Sequence, residues 1–239
     1  MYKIFGLSYT CLYTGIPNQK EKDYDDMAYK KGIETKEAIL RTAKKLFFET
    51  GYEATTFRKI GEELGINHNL VTYYFSGKQP LAEQILVDFF IEEDNILSKI
   101  FSGKNIDSIC YYALKNRLHY KILARNPKVF RFYLEAVTSD FLHNVFLTIP
   151  GIWDSYEAIF AQYKLKKRYP KEYYASMETA SEVEIIKRFK SEMYEDDVFL
   201  YFIESILPVY IGVPEEDIDK AFKKAKEMLK DVDVTGFTF

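Results

Sequence analysis

A run of polar residues near position 67 has the types and spacing to hydrogen-bond to a nucleic acid. Asn67, His68 and Asn69 offer amide and imidazole donors and acceptors, and Leu70 offers an apolar group that could meet a thymine methyl. Such groups in the first turn of a helix can read base edges in a DNA major groove, and hydroxyls nearby usually bind phosphate. The candidate contacts of this helix are Asn67, His68, Asn69, Leu70, Thr72 and Tyr73. Asn67 is also suited to cap the helix, which would occupy its side-chain oxygen.

Patterns typical of enzymes are missing from the sequence. The three histidines, His68, His119 and His143, stand apart, and no His or Cys pair has the spacing of metal ligands. There is no glycine-rich phosphate loop and no nucleophile elbow. Two cysteines, Cys11 and Cys110, are too few for a disulfide framework. We therefore expect no catalytic residue, no metal and no cofactor, and a reducing, cytoplasmic location.

Three helices are predicted around the polar run. Apolar residues recur at intervals of three and four after Thr35, which predicts a first helix capped by that residue. A second, short helix begins after Thr56 and ends at Gly65, and a third begins at Asn67. Because only two residues separate the second helix from the third, the layout is that of a helix-turn-helix.

The remainder of the chain predicts longer helices and no strand, so the expected fold class is all-α. These helices are predicted at residues 79–101, 106–125, 127–145, 151–168, 172–192, 196–211 and 215–230. Charge divides the chain as well, because residues 30–81 carry a net charge of +3 and residues 82–239 a net charge of −5. A small basic module preceding a larger acidic one favours a polyanionic partner for the first module. No segment has the roughly 20 consecutive apolar residues that a membrane span requires, so no membrane partner is expected.

Four motifs occur in order between residues 35 and 81. They are Leu-Phe-x-x-x-Gly-Tyr, Thr-Thr, Ile-Gly-x-x-Leu-Gly-Ile and Tyr-Phe-x-x-Lys-x-x-Leu. This segment resembles the DNA-binding domain of the tetracycline-repressor (TetR) family of transcription regulators. The resemblance implies an N-terminal three-helix helix-turn-helix domain at 30–81 and a larger helical ligand-binding and dimerisation domain at 82–239. Residues 1–29 are expected to form a flexible arm, and the last 158 residues resemble the family only in being helical.

Further DNA contacts follow from the resemblance. It assigns phosphate binding to Thr56 and Lys78, each near a helix N-terminus, and base contact to Arg58. An exposed Arg58 that contacts nothing is the alternative. The family often has Ser or Thr followed by a small residue where this chain has Asn67-His68-Asn69, so the operator sequence is not transferable from a relative.

The middle helices are expected to hold an effector, as in regulators of this type. The sequence has 20 Tyr and 19 Phe, which could line an apolar pocket with scattered hydroxyls. The candidate ligand-binding residues are Tyr112, Asn116, His119, Tyr120, Arg131, Tyr133, Trp153 and Tyr156. Taken singly, each ring is more typical of an ordinary packed core. The expected ligand is a small aromatic or amphipathic organic molecule.

The two C-terminal helices carry apolar stripes that could pair with a second copy of the chain. The resemblance implies a homodimer through these helices, and the alternative is packing within one subunit. A dimer would place two recognition helices on a palindromic operator of double-stranded DNA. The function we expect is that of a ligand-responsive transcription regulator, by family default a repressor. The alternative is a helical small-molecule-binding protein whose helix-turn-helix serves as a scaffold or protein contact and does not read DNA.

Overall fold

The computed structural model describes residues 19–189 and 197–235, and within them the chain is all-α. These residues form eleven helices and no strand, which confirms the predicted fold class. The helices are α1 (Gln19–Thr50), α2 (Phe57–Leu64), α3 (His68–Tyr74), α4 (Lys78–Ile100), α5 (Ser108–Arg125), α6 (Pro127–Ala136), α7 (Ser139–Thr148), α8 (Pro150–Gln162), α9 (Lys171–Arg188), α10 (Asp197–Ile211) and α11 (Glu215–Leu229). None of these helices is both long enough and apolar enough to cross a lipid bilayer.

Helix α1 starts earlier than predicted. Thr35 lies inside the helix, where its hydroxyl donates to the carbonyl oxygen of Lys31 at 2.8 Å, so it does not cap the N-terminus. The first residues of α1 are mostly charged, and a search for apolar periodicity does not detect such a segment. The first 18 residues of the predicted arm lie outside the described residues. The described part of the chain divides after Ala38 into two compact units, and the sites described below belong to the second.

The helix-turn-helix forms as the sequence predicts, because both short helices have capped ends. Thr56 caps α2 by accepting a hydrogen bond from the Lys59 amide, and Gly65 ends α2 with a φ of 66°. Gly61 permits the tight joint between α2 and α3. A Cβ added at Gly61 would lie 2.8 Å from the carbonyl oxygen of Ile66, so only glycine fits this close approach without a shift of the backbone.

The later helices agree with the prediction to within a few residues, with one clear exception. The segment predicted as a single helix over 127–145 is two helices, α6 and α7, separated at Val137 and Thr138. Thr138 caps α7 by accepting a hydrogen bond from the Phe141 amide at 3.2 Å. Two β-branched residues and a good cap thus favour the break over a continuous helix. The ends of helices predicted between 190 and 196 lie outside the described residues.

Helix α5 lies at the centre of the larger helical region, where it packs against α4, α6, α8, α10 and α11. The apolar stripe of α11 faces α5, and Ile218, Phe222, Ala225 and Leu229 are almost completely buried within the protomer. This corrects the expectation that the α11 stripe is available to a second copy, since packing within one subunit covers it. The exposed apolar residues of this end of the chain lie instead on α10, on α9 and just after α9; they are Tyr173, Phe189, Val198, Phe202, Val209 and Tyr210.

Candidate functional site

The first turn of α3 presents polar side chains to solvent. Asn67 caps the helix, and its Oδ1 accepts a hydrogen bond from the Asn69 amide at 2.9 Å, as the sequence predicts. Val71 points inward and is fully buried, which fixes the opposite side of α3 as the outer face. The exposed residues of that face are His68, Asn69, Leu70, Thr72 and Tyr73, and the Tyr73 ring is 80% exposed. The predicted base-reading residues of α3 therefore lie on one accessible surface.

The other predicted DNA contacts lie at the start of α2, on α2 and at the start of α4, and they already have partners within the chain. Arg58 is exposed on α2, and its Nε donates to Glu62 Oε1 at 2.8 Å. An exposed pair of this kind is weak and can be exchanged for a phosphate or a base. Lys78 begins α4, and its Nζ donates to the carbonyl oxygens of Tyr52 and Glu53 at 2.9 and 3.3 Å. Lys78 therefore holds the turn between α1 and α2 in place.

A cavity lies among α4, α5, α7, α8 and α9, in the larger helical region. The space free of protein atoms is about 470 Å³, and this figure includes space that is open to solvent. Its walls combine rings, short polar groups and carboxylates. The lining residues are Phe90, Glu93, Tyr112, Lys115, Asn116, His119, Phe146, Ile152, Ser155, Tyr156, Glu178 and Glu182. The composition suits a ligand with an aromatic part and a polar part.

Four of the predicted ligand-binding residues line this cavity, namely Tyr112, Asn116, His119 and Tyr156. Tyr120 and Tyr133 are buried behind it, with ring centroids 5.3 and 5.4 Å from that of His119. Trp153 packs against Tyr156 and lines a smaller neighbouring cavity. Arg131 lies elsewhere, because its Nη2 donates to the carbonyl oxygen of Phe48 at 2.6 Å.

Three glutamates of the cavity were not predicted from the sequence. Glu93 is 4% exposed and Glu182 is 7% exposed, and both lie among core residues. Glu178 presents one carboxylate oxygen to Tyr112, whose hydroxyl donates to it at 2.8 Å. A pattern in the sequence points to these residues, since each occupies a core-facing position of its helix at intervals of three or four from apolar residues. A charged residue at such a position is the informative exception.

These carboxylates and His119 form one buried polar network. His119 Nδ1 lies 3.0 Å from Glu93 Oε1, and its Nε2 lies 3.9 Å from Glu182 Oε1. The Tyr133 hydroxyl donates to Glu182 Oε1 at 2.5 Å. Two enclosed atoms of this network, His119 Nε2 and Glu178 Oε2, have no hydrogen-bond partner among the described residues. Enclosed polar atoms without partners are costly unless something binds them.

Burial changes the acidity of this network. It raises the pKa of Glu178 to about 8, and it also raises the pKa of Glu93 and Glu182. Burial by itself lowers the pKa of His119, but the charges of Glu93 and Glu182 and the hydrogen bond with Glu93 raise it by more. The network therefore favours a protonated histidine and retains protons on some of its carboxyls in the neutral range.

Helix α6 contacts both the cavity network and the helix-turn-helix region. Tyr133 reaches Glu182, as described above, while the neighbouring Phe132 stacks on Phe47 of α1. Glu135 accepts a hydrogen bond from the Glu53 amide at 3.1 Å. Together with the bond from Arg131 to α1, these contacts attach one side of α6 to the end of α1 and the turn that follows it.

Comparison with known proteins supports the assignment of the N-terminal region. Residues 39–85 match the profile of the bacterial regulatory proteins of the tetR family. A segment of 58 residues is 33% identical to the probable HTH-type transcriptional regulator YttP of Bacillus subtilis (strain 168). That match covers 24% of this chain and 28% of the relative, so the chain spans under a third of the curated relative it matches.

Solved structures extend the likeness to the larger helical region, as a likeness of fold. The structure of RolR in complex with the ligand resorcinol superposes with a TM-score of 0.62 at 16% identity, covering 82% of this chain and 95% of that one. RolR without ligand gives a TM-score of 0.59 at 15% identity, covering 79% and 95%. The ordered motifs, the capped helices of the helix-turn-helix and the profile match thus make residues 39–85 similar to the bacterial regulatory proteins of the tetR family, and the solved structures show a likeness of fold over the larger helical region.

Proposed function

We propose that this protein is a ligand-responsive, sequence-specific transcription regulator that binds a palindromic operator as a homodimer. The observation that carries the proposal is the exposed first turn of α3, which presents His68 and Asn69 beside the cap residue Asn67. Polar side chains at the start of a helix that follows a tight turn can enter the major groove and meet base edges. By family default the regulator is a repressor.

The proposed DNA surface divides into base-reading and phosphate-binding residues. Asn69 and His68 would contact bases, with Leu70 against a thymine methyl, and Arg58 would exchange Glu62 for a base or phosphate. Thr56, Thr72, Tyr73 and Lys78 would bind the backbone, where hydroxyl and ammonium groups fix the register without reading sequence. A recognition helix of seven residues reads only a few base pairs, which is why a second copy is needed.

The proposed dimer uses the exposed apolar surface of α9 and α10, not the stripe of α11. Val198, Phe202, Val209 and Tyr210 of α10 are each more than half exposed. Large apolar side chains grouped on one face of a protein commonly mark an interface. A twofold axis would pair this face with its own copy and bury it in both subunits.

The cavity is the proposed effector site, and it would communicate with DNA through α4 and α6. Helix α4 begins with Lys78 at the helix-turn-helix and contributes Phe90 and Glu93 to the cavity wall. Helix α6 links the cavity network to α1 through Tyr133 and Phe132. A ligand that displaces either helix would change the separation of the two recognition helices and so weaken operator binding. RolR has been solved with resorcinol, which makes a ligand of one aromatic ring a reasonable size to test.

Selection from a random duplex pool by the purified full-length chain tests this proposal. At about physiological salt, specific binding should exceed non-specific binding by roughly a thousandfold or more. We expect enrichment of one palindrome whose half-sites are about 34–36 Å apart or a multiple of that. Recovery of unrelated sequences, with no palindrome, would contradict operator recognition.

A further inference from the structure

Acidic side chains outnumber basic ones in the lining of the cavity. Glu93, Glu178 and Glu182 line it, and the basic residues that line it are Lys115 and His119. Lys115 Nζ lies 2.9 Å from Asp94 Oδ1, so its charge is already matched by an acid that does not line the cavity. Glu93, Glu178 and Glu182 thus outnumber the two bases of the described lining, and one of those bases, Lys115, is also paired with Asp94.

The next polar layer does not supply the missing positive charge. Arg117 Nη1 lies 3.0 Å from Asp197 Oδ1, and Arg117 Nε lies 3.0 Å from Glu204 Oε2. Lys226 also pairs with Asp197. Arg117 and Lys226 are thus already engaged by Asp197 and Glu204, and acidic groups still outnumber basic ones in the cavity lining.

Two enclosed atoms face this imbalance without hydrogen-bond partners. Glu178 uses Oε1 to accept from Tyr112, while its Oε2 is enclosed and accepts nothing from the described residues. His119, which is 5% exposed, likewise leaves Nε2 without a hydrogen bond. The site is therefore a cavity lined by Glu178, and one oxygen of that carboxylate has no hydrogen-bond partner among the described residues.

The remaining walls are aromatic. Phe90 and Phe146 meet edge to face with ring centroids 5.8 Å apart, and the rings of Tyr112 and Tyr156 are tilted by 58° with centroids 6.4 Å apart. The electron-rich faces of such rings attract cations, most strongly where water is excluded. An anionic ligand would meet three carboxyls, and a neutral ligand would leave the excess of acid unmatched.

We propose that the cavity binds a small organic cation, about one aromatic ring in size, whose amine or amidinium group pairs with Glu178. This inference rests on the proposed function, because it names the chemical class of the effector for the same cavity. The ring lies between Phe90, Phe146 and Tyr156, and the cationic group donates to Glu178 Oε2. Binding then exchanges a proton held by the buried carboxyls for the positive charge of the ligand.

Calorimetric titration of the full-length chain with three matched probes tests the class of ligand. Benzamidinium, benzamide and benzoate share a ring and a planar substituent and differ in charge. We expect benzamidinium to bind at least about tenfold more tightly than benzamide. Benzoate should bind more weakly than either of them. Equal or tighter binding of benzamide or benzoate would overturn the proposal, as would no binding of benzamidinium at millimolar concentrations.

A pair of variants on α9 tests the role of Glu178. Glu178→Gln keeps the shape of the side chain and removes its charge, and it should lower benzamidinium affinity about tenfold or more while changing benzamide affinity by less than about twofold. Glu184→Gln is the matched control, since Glu184 is exposed on the same helix and pairs with Arg188. Unchanged benzamidinium affinity in a folded Glu178→Gln protein would refute the assignment. Tyr112→Phe, which removes the hydroxyl bound to Glu178, provides a second test and should weaken the cation severalfold.

The two proposals fail in different ways. If benzamidinium binds as expected but the random pool yields no palindrome, the cation site stands and operator recognition fails. If a palindrome is recovered and a neutral ring releases the protein from it while cations do not bind, operator recognition stands and the cation class is wrong.

Discussion

Phe132 of α6 stacks on Phe47 of α1, with ring centroids 5.6 Å apart and ring planes inclined by 14°. Both rings are almost completely buried, and Tyr52 packs edge-on against Phe132 at 6.4 Å. The same helix carries Tyr133, which bonds to Glu182 in the cavity network. Adjacent residues of α6 therefore join the end of α1 to the proposed effector site.

Removal of the Phe132 ring should destabilise the fold. Phe132→Ala leaves a cavity beside Phe47, and we expect a loss of about 3–5 kcal/mol in the free energy of unfolding. Urea denaturation followed by circular dichroism measures this loss. Tyr29→Ala is the control, because Tyr29 is 73% exposed and its removal should cost less than about 0.5 kcal/mol. Similar small losses in both variants would show that the stacked pair contributes little.

The buried carboxyls should make stability depend on pH. Burial raises the pKa of Glu178 and of Glu204 to about 8 from the ordinary value of 4.5. Between these values the folded protein holds more protons than the unfolded chain, so the free energy of unfolding falls as the pH rises through this window. Glu178→Gln should flatten the fall and make the variant more stable than the parent near pH 8. Denaturation curves at a series of pH values measure the slope, and the exposed Glu184→Gln control should keep the parent slope.

The proposed dimer face can be tested by adding charge to α10. Phe202→Arg and Val209→Asp place charges on exposed apolar positions without disturbing the core of the protomer. We expect each variant to shift the population from dimer to monomer in analytical ultracentrifugation, because an unpaired charge is costly in a buried interface. The control is Lys223→Glu on the exposed side of α11. A dimer that resists both α10 variants would place the interface elsewhere.

Position 61, where α2 and α3 approach each other closely, should not tolerate a side chain. Gly61→Ala would bring a Cβ to 2.8 Å from the Ile66 carbonyl oxygen and 3.2 Å from the His68 nitrogen. We expect a loss of about 1–3 kcal/mol in stability and a displaced α3, with weaker DNA binding. Gly77→Ala is a matched control, since its Cβ would meet Pro80 at an ordinary 3.5 Å. Thermal denaturation of the two variants measures the difference in stability. Equal melting temperatures would contradict the packing argument.

Asn69 and Lys78 should affect DNA binding in different ways. Asn69→Ala should relax the preference at particular base pairs by roughly 1–3 kcal/mol, because it removes the base contact proposed for this residue. Lys78→Ala should weaken all duplexes about equally and reduce the salt slope by about one. Because Lys78 also binds the carbonyl oxygens of Tyr52 and Glu53, this variant should lose some stability too. A uniform loss from Asn69→Ala would assign that residue to the phosphate backbone.

The cavity was only partly predictable from the sequence. Tyr112, His119 and Tyr156 were expected because aromatic and polar side chains recur in the middle helices, and they do line the cavity. Arg131 was expected there on its residue type, yet it reaches the carbonyl oxygen of Phe48. Periodicity indicates which side of a helix is buried, but it does not show which neighbour covers that side.

The sequence by itself determined the helix-turn-helix, because its caps, glycines and apolar spacings act over a few residues. Thr56, Gly61, Gly65 and Asn67 are such local determinants. The tertiary structure alone decided that Glu93, Glu178 and Glu182 meet around one cavity, since they come from two helices far apart in the chain. It also decided that the α11 stripe is buried against α5 while apolar residues of α10 remain exposed. The physical reason is that an amphipathic helix specifies a buried face, whereas the partner for that face depends on the packing of all the helices together.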